Sequence, residues 1–278
     1  MLTTNYHMYL KQFYAVLAWL MINPAMAQFE TCNKFGHFDL DIKINPPASN
    51  GGKILIDPAL DFPLNINTGS TVVPADFGDF AGGPHKTDDP GWKVTAGDLL
   101  AGENLWFRAL GILRYWDPIK ETWGEPPNNE RVRYFGATPA EVFLRNDPDE
   151  LAFYQEGTIW TTTGLTGPTE SPIDQAAADG SIHTHLDFCV EAEHGDCSQS
   201  GVGHTGNPSI GAYLIEVQLF SDAGSKGKYI KSRPIQLVLN NGLVDDQCGT
   251  AIAALTQPSA TDTSVALPAA GILIMSGN

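Results

Sequence analysis

GAYLIEVQLFS, running from Gly211 to Ser221, places Tyr213, Ile215, Val217 and Leu219 at every second position. A period of two puts those four side chains on one face of a β-strand. PIQLVLN, from Pro234 to Asn240, does the same with Ile235, Leu237 and Leu239. Shorter runs of this kind lie on the N-terminal side. Phe35 to Asn45 (FGHFDLDIKIN) alternates apolar and polar residues, and Lys53 to Asp57 (KILID) follows an Asn-Gly-Gly turn. Pro63 to Pro74 forms a third region. Asn104 to Tyr115 (NLWFRALGILRY) is a long run that Gly111 interrupts, as at a bulge. Val132 to Phe135, Leu151 to Gln155 and Ser181 to Glu191 complete the expected strands. With 28 glycines, 19 prolines and no sustained helical period, the chain reads as all-β, an antiparallel β-sandwich in a single domain over residues 28–249.

The two ends read differently. Lys11 precedes an apolar run from Phe13 to Ile22, and Ala25-Met26-Ala27 follows, which is the pattern of a secretory signal peptide over residues 1–27. The apolar run is too short for a membrane span of about 20 residues. The expected mature chain, from Gln28, has no transmembrane span and works outside the cytoplasm, on the outer cell surface or in the periplasm. After Cys248, residues 250–264 are rich in Ala, Thr and Ser and read as a solvated linker. The four cysteines suit disulfides in an exported protein. Cys189 and Cys197 flank a short polar turn and are paired here, which leaves Cys32 for Cys248. A formal net charge of −16 argues against nucleic acid and against anionic membrane surfaces as partners.

Chemistry concentrates in SIHTHLDFCVE, residues 181–191. Read as one strand, its core face is Ile182, Thr184, Leu186, Phe188 and Val190. His183, His185, Asp187, Cys189 and Glu191 share the other face. An H-x-H pair on a strand offers two nitrogen ligands to a transition metal, and Asp187 is a third ligand or an orienting acceptor. Further donors are His85, in a loop with Asp88 and Asp89, and His194 and His204, in the loop after the strand. The expected metal residues are thus His183, His185, His85, Asp187 and His204, and imidazole ligands favour copper or zinc. The neighbouring strand is expected to be Gly211 to Phe220, offering Glu216 and Gln218. TDDPG and RNDPDE read as turns rather than calcium loops, and the tryptophans as core rather than a sugar platform. No GxSxG or HExxH occurs, no catalytic residue is assigned, and the chain reads as a binding protein, not an enzyme.

SVALPAAGILIMSGN, residues 264–278, resembles the start of the PEP-CTERM sorting tail in its VPLPAA variant; Val265, Leu267, Pro268, Ala269 and Ala270 match, and Ala266 departs. The tail over residues 265–278 lacks the rest of the spanning helix and the basic end. The middle of the chain is similar to secreted PEP-CTERM-associated bacterial proteins without an assigned activity. The resemblance rests on ADFGDF and TDDPGW, on LLAGENLWFRALGILRYWD with Leu113 and Trp116, on H-x-H followed by Phe188, and on GAYLIEVQLFSD with SRPIQLVLNNG. Some members are thought of as zinc-regulated surface proteins, which implies a metal-handling role centred on His183 and His185. A fainter resemblance, of kind only, is to methanotroph surface copper-binding proteins. The sequence therefore predicts an exported surface or periplasmic protein that binds copper or zinc through the strand H-x-H pair. The alternative is a structural or carbohydrate-binding module of an extracellular polysaccharide matrix.

Overall fold

The computed structural model describes residues 37–45, 52–56, 62–78, 83–193, 195, 197, 206–222 and 231–257. The expected signal peptide, Cys32, His194, His204 and the tail lie outside the described residues. The strands, in chain order, are β1 (Asp39–Asn45), β2 (Lys53–Ile56), β3 (Thr71–Asp76), β4 (Lys86–Thr87), β5 (Gly91–Val94), β6 (Asn104–Asp117), β7 (Thr122–Gly124) and β8 (Arg131–Tyr134). Helices α1 (Ala140–Arg145) and α2 (Pro148–Glu156) follow. Then come β9 (Thr158–Thr161), β10 (Gly164–Thr166), β11 (Glu170–Gln175), β12 (Ile182–Thr184), β13 (Phe188–Glu191), β14 (Gly211–Ser221), β15 (Ile235–Asn241) and helix α3 (Asp245–Thr256).

These strands form three sheets that all contribute to one main core. The largest has the order β11-β6-β14-β15-β3, with β7 beside β6; the second is β10-β9-β8-β13-β4; the smallest is β12-β5-β1-β2. Two pairs, β1 with β5 and β3 with β15, are parallel, so the sandwich expected to be antiparallel is mixed. Tyr213, Ile215 and Val217 face Leu239, Leu237 and Ile235 across the β14–β15 ladder, and all six belong to the main core. The smallest sheet adds Leu40, Ile42, Trp92, Val94 and Ile182, and the second adds Val132, Tyr134, Trp160, Phe188 and Val190. Burying one such aliphatic side chain stabilises the fold by about 1.5–3 kcal/mol. The bulge expected at Gly111 is present. The β14–β6 register passes from Leu214↔Arg114 to Glu216↔Leu110, and Gly111 between them has φ 69°.

Two regions depart from the sequence reading. Leu151 to Gln155, expected as a strand, lies in α2. The Asp147 carboxylate accepts from the backbone N–H groups of Asp149 and Glu150, and Pro148 opens the helix, so capping chemistry overrides a short apolar run. Thr250 to Thr256, expected as the start of a linker, lie in α3, so the boundary set at residue 249 falls inside that helix. Cys248, Ala251, Ile252 and Leu255 recur at helical spacing and pack against Ala212, Leu214 and Val238, on the side of the large sheet away from the main core.

Candidate metal centre

In the smallest sheet, β5 lies between β1 and β12. Asp39 pairs with Gly91, and Asp41 with Lys93. On the other side Thr184 pairs with Trp92, and His183 with Lys93. Leu40, Trp92, Val94 and Ile182 point into the core, so the opposite face carries Asp39, Asp41, Gly91, Lys93 and His183. His185 follows β12 directly and lies over Gly91. A Cβ at Gly91 would collide with the His185 ring and would lie 2.5 Å from Asp39 Oδ1. A glycine on the middle strand therefore opens a bay in which side chains from the two outer strands meet.

They meet at Asp39. Its Oδ1 is 3.0 Å from His185 Nε2 and 3.2 Å from His183 Nε2. The two imidazoles are 5.6 Å apart at their centroids and inclined by 67°. His185 Nδ1 lies 3.0 Å from the Asp88 carbonyl oxygen, which can only accept, so Nδ1 carries the hydrogen. Nε2 is then the ring nitrogen that faces the Asp39 carboxylate, across a gap that a proton or a metal ion can bridge. His183 is 65% exposed and His185 19%, so the bay opens to solvent on the His183 side. The structure thus contains groups of His and Asp able to hold a metal: Asp39, His183 and His185, and alongside them His37, Asp88, Asp89 and His185.

The expected ligands divide. His183 and His185 come together as the H-x-H reading requires, but not on a single strand. Residues 181–191 break into β12, in the smallest sheet, and β13, in the second, with Cys189 and Glu191 fully buried rather than on a solvated face. Asp187 falls at the break and belongs to neither ligand group. Its carboxyl is raised above the usual range, first by burial and then by the charge of Asp88. His85 turns away, with Nδ1 2.9 Å from Asn241 Oδ1. The strand beside the histidines is β5, not β14. Glu216 instead accepts from Ser70 and Gln236, and Gln218 donates to the Ser232 carbonyl. Asp39 and His37 escaped the sequence reading. The available signal was their H-x-D spacing inside the expected strand Phe35 to Asn45, the same period as H-x-H; in the structure Asp39 opens β1 and His37 lies just before it.

Cys189 and Cys197 form a disulfide with Cα atoms 6.3 Å apart. Glu191, buried beside it, is ion-paired with Arg131 and Arg133 and accepts the Cys197 N–H at 2.6 Å. Cys248 is also disulfide-bonded, and its expected partner Cys32 lies outside the described residues. Among the described residues no helix is long and apolar enough to cross a membrane. In comparison with known proteins, no family model, no curated protein and no solved structure matches the chain.

Proposed function

We propose that this chain is an exported surface or periplasmic protein that binds copper or zinc through His183 Nε2, His185 Nε2 and the Asp39 carboxylate. The observation that carries the reading is one Asp39 oxygen within 3.0 and 3.2 Å of two imidazole nitrogens whose rings are inclined by 67°. Inclined rings can aim their lone pairs at one point. With metal–nitrogen bonds of about 2.1 Å, two imidazoles on a tetrahedral ion hold their centroids roughly 5 Å apart; here the separation is 5.6 Å. The Asp88 carbonyl fixes His185 as an Nε2 ligand, as outer hydrogen bonds fix metal-bound histidines generally. Three protein ligands leave a position for water or for a donor from another molecule. Export rests on the signal-peptide pattern of residues 1–27, and the Cys189–Cys197 disulfide suits an oxidising compartment. Of the tryptophans the matrix-module alternative would use for stacking, Trp92, Trp116 and Trp160 are buried, while Trp106 and Trp123 are half-buried.

The test is calorimetric titration of the metal-stripped protein with zinc and with copper(I). The double variant His183→Ala, His185→Ala should lose the site, with no change in melting temperature in the metal-free state. Affinity should also weaken in acid, because protons compete for the same ring nitrogens. Wild-type affinity in the double variant would place the metal elsewhere and make the matrix module the better reading.

A further inference from the structure

The His37, Asp88 and Asp89 group lies on the opposite side of His185. His37 Nδ1 is 3.2 Å from Asp89 Oδ1 and 3.8 Å from Asp88 Oδ1. His185 Nδ1 is 3.9 Å from Asp88 Oδ2 and 3.8 Å from Asp89 Oδ1. This is not a second way of gripping the first ion. The His37 and His185 rings are stacked, 4.4 Å apart and only 16° from parallel. Nearly parallel rings do not aim two lone pairs at one point, and His185 Nδ1 is already committed to the Asp88 carbonyl. The donors left to share an ion are His37 Nδ1 and the carboxylates of Asp88 and Asp89.

We infer that these three residues form a second divalent-cation position, so that the protein carries two ions, one on each side of the His185 ring. The inference rests on the reading above for its first ion only. Donors around an ion with bonds of about 2.1 Å sit roughly 3.4 Å apart in tetrahedral geometry, and the contacts of 3.2 and 3.8 Å bracket that separation. The Asp89 carboxylate is fully buried and is fixed by the Phe38 N–H at 3.1 Å, while the Asp89 N–H donates to Thr87 Oγ1 at 3.0 Å. His37 is 64% exposed, which gives an ion a route in. One nitrogen and two carboxylates suit zinc or manganese; calcium favours all-oxygen donors.

The test is zinc titration of the full metal-stripped chain, with circular dichroism melting to confirm that each variant folds. Wild type should take up two equivalents. The variant His37→Ala, Asp88→Asn should take up one, and His183→Ala should also take up one, lost when the three changes are combined. A single wild-type equivalent that survives His37→Ala, Asp88→Asn and disappears with His183→Ala overturns the second position and leaves the first intact. A single equivalent showing the reverse pattern overturns both the two-ion inference and the Asp39–His183–His185 reading. Two equivalents in the His37→Ala, Asp88→Asn variant place the second ion elsewhere and overturn the inference.

Discussion

The β14–β15 pair and the β12–β5–β1 group have the same alternating sequence pattern and put it to opposite uses. On β15 every residue is buried, because the main core takes Ile235, Leu237 and Leu239 while α3 covers the other face through Val238. In the small sheet the core takes Leu40, Trp92, Val94 and Ile182, and the other face stays polar and lined with histidine and aspartate. A strand's own period does not decide whether its second face becomes core or site. That depends on what the rest of the chain lays over it, and at the bay also on one missing Cβ.

The sharpest break in this comparison comes from truncating each region in turn. Leu237→Ala removes a fully buried side chain at the centre of the large sheet and should cost about 2–5 kcal/mol in urea denaturation without altering metal affinity. His183→Ala in the metal-free protein should stay within about 0.5 kcal/mol of wild type, as exposed substitutions do. Equal losses would mean that the polar face supports the fold as much as the core does.

Much of this contrast was legible in the sequence, and the reasons for the remainder are physical. The inward faces of β1, β14 and β15 follow from period two alone, and so does the proximity of His183 and His185. Helix α3 was legible in principle, since Cys248, Ala251, Ile252 and Leu255 carry a helical period; an Ala- and Thr-rich composition hid it. The break between β12 and β13 was not legible, because the alternation of residues 181–191 continues unbroken across it. Nor was Asp39 as a ligand. It lies 144 residues from His183 in sequence, and only the pairing of β1 and β12 with the same central strand brings them together.

Gly91→Ala tests the bay with a smaller perturbation. The added methyl would strike the His185 ring and the Asp39 carboxylate. Overpacking of this kind costs about 1–3 kcal/mol. Restricting the unfolded chain returns about 0.4–1 kcal/mol of that, leaving a net loss of about 1 kcal/mol. Metal affinity should fall at least tenfold, because all three ligands are left in the chain but Asp39 and His185 can no longer share the bay. If Gly91→Ala bound zinc as tightly as wild type, the glycine would not be what admits the ligands.

The last effect vanishes at neutral pH; it lies at the rim of the large sheet and separates the two regions by pH. The Tyr115 hydroxyl donates to the Ile210 carbonyl at 2.6 Å, and its ring packs against Tyr213 with centroids 5.3 Å apart. Burial, followed by the charges of Glu130 and Asp117, pushes Tyr115 up to about 12. Burial first and Glu130 second raise Tyr213 as well, and burial raises Tyr134. An unfolded tyrosine ionises near pH 10, at roughly the ordinary value. These hydroxyls therefore contribute stability that is fully present below about pH 10 and is lost as the pH rises through the folded values, because only the unfolded chain gains from ionisation in that window. Each tyrosine contributes a slope of about 1.4 kcal/mol per pH unit there. The strands of the small sheet contain no tyrosine. Tyr115→Phe should therefore flatten the decline in urea stability between about pH 10 and 12 by one tyrosine's share, and His183→Ala should leave it unchanged. An unaltered slope in Tyr115→Phe would show that this hydroxyl ionises alike in the folded and unfolded chains. A flatter slope in His183→Ala would show that the polar face is coupled to the core, which the separation of the two regions forbids.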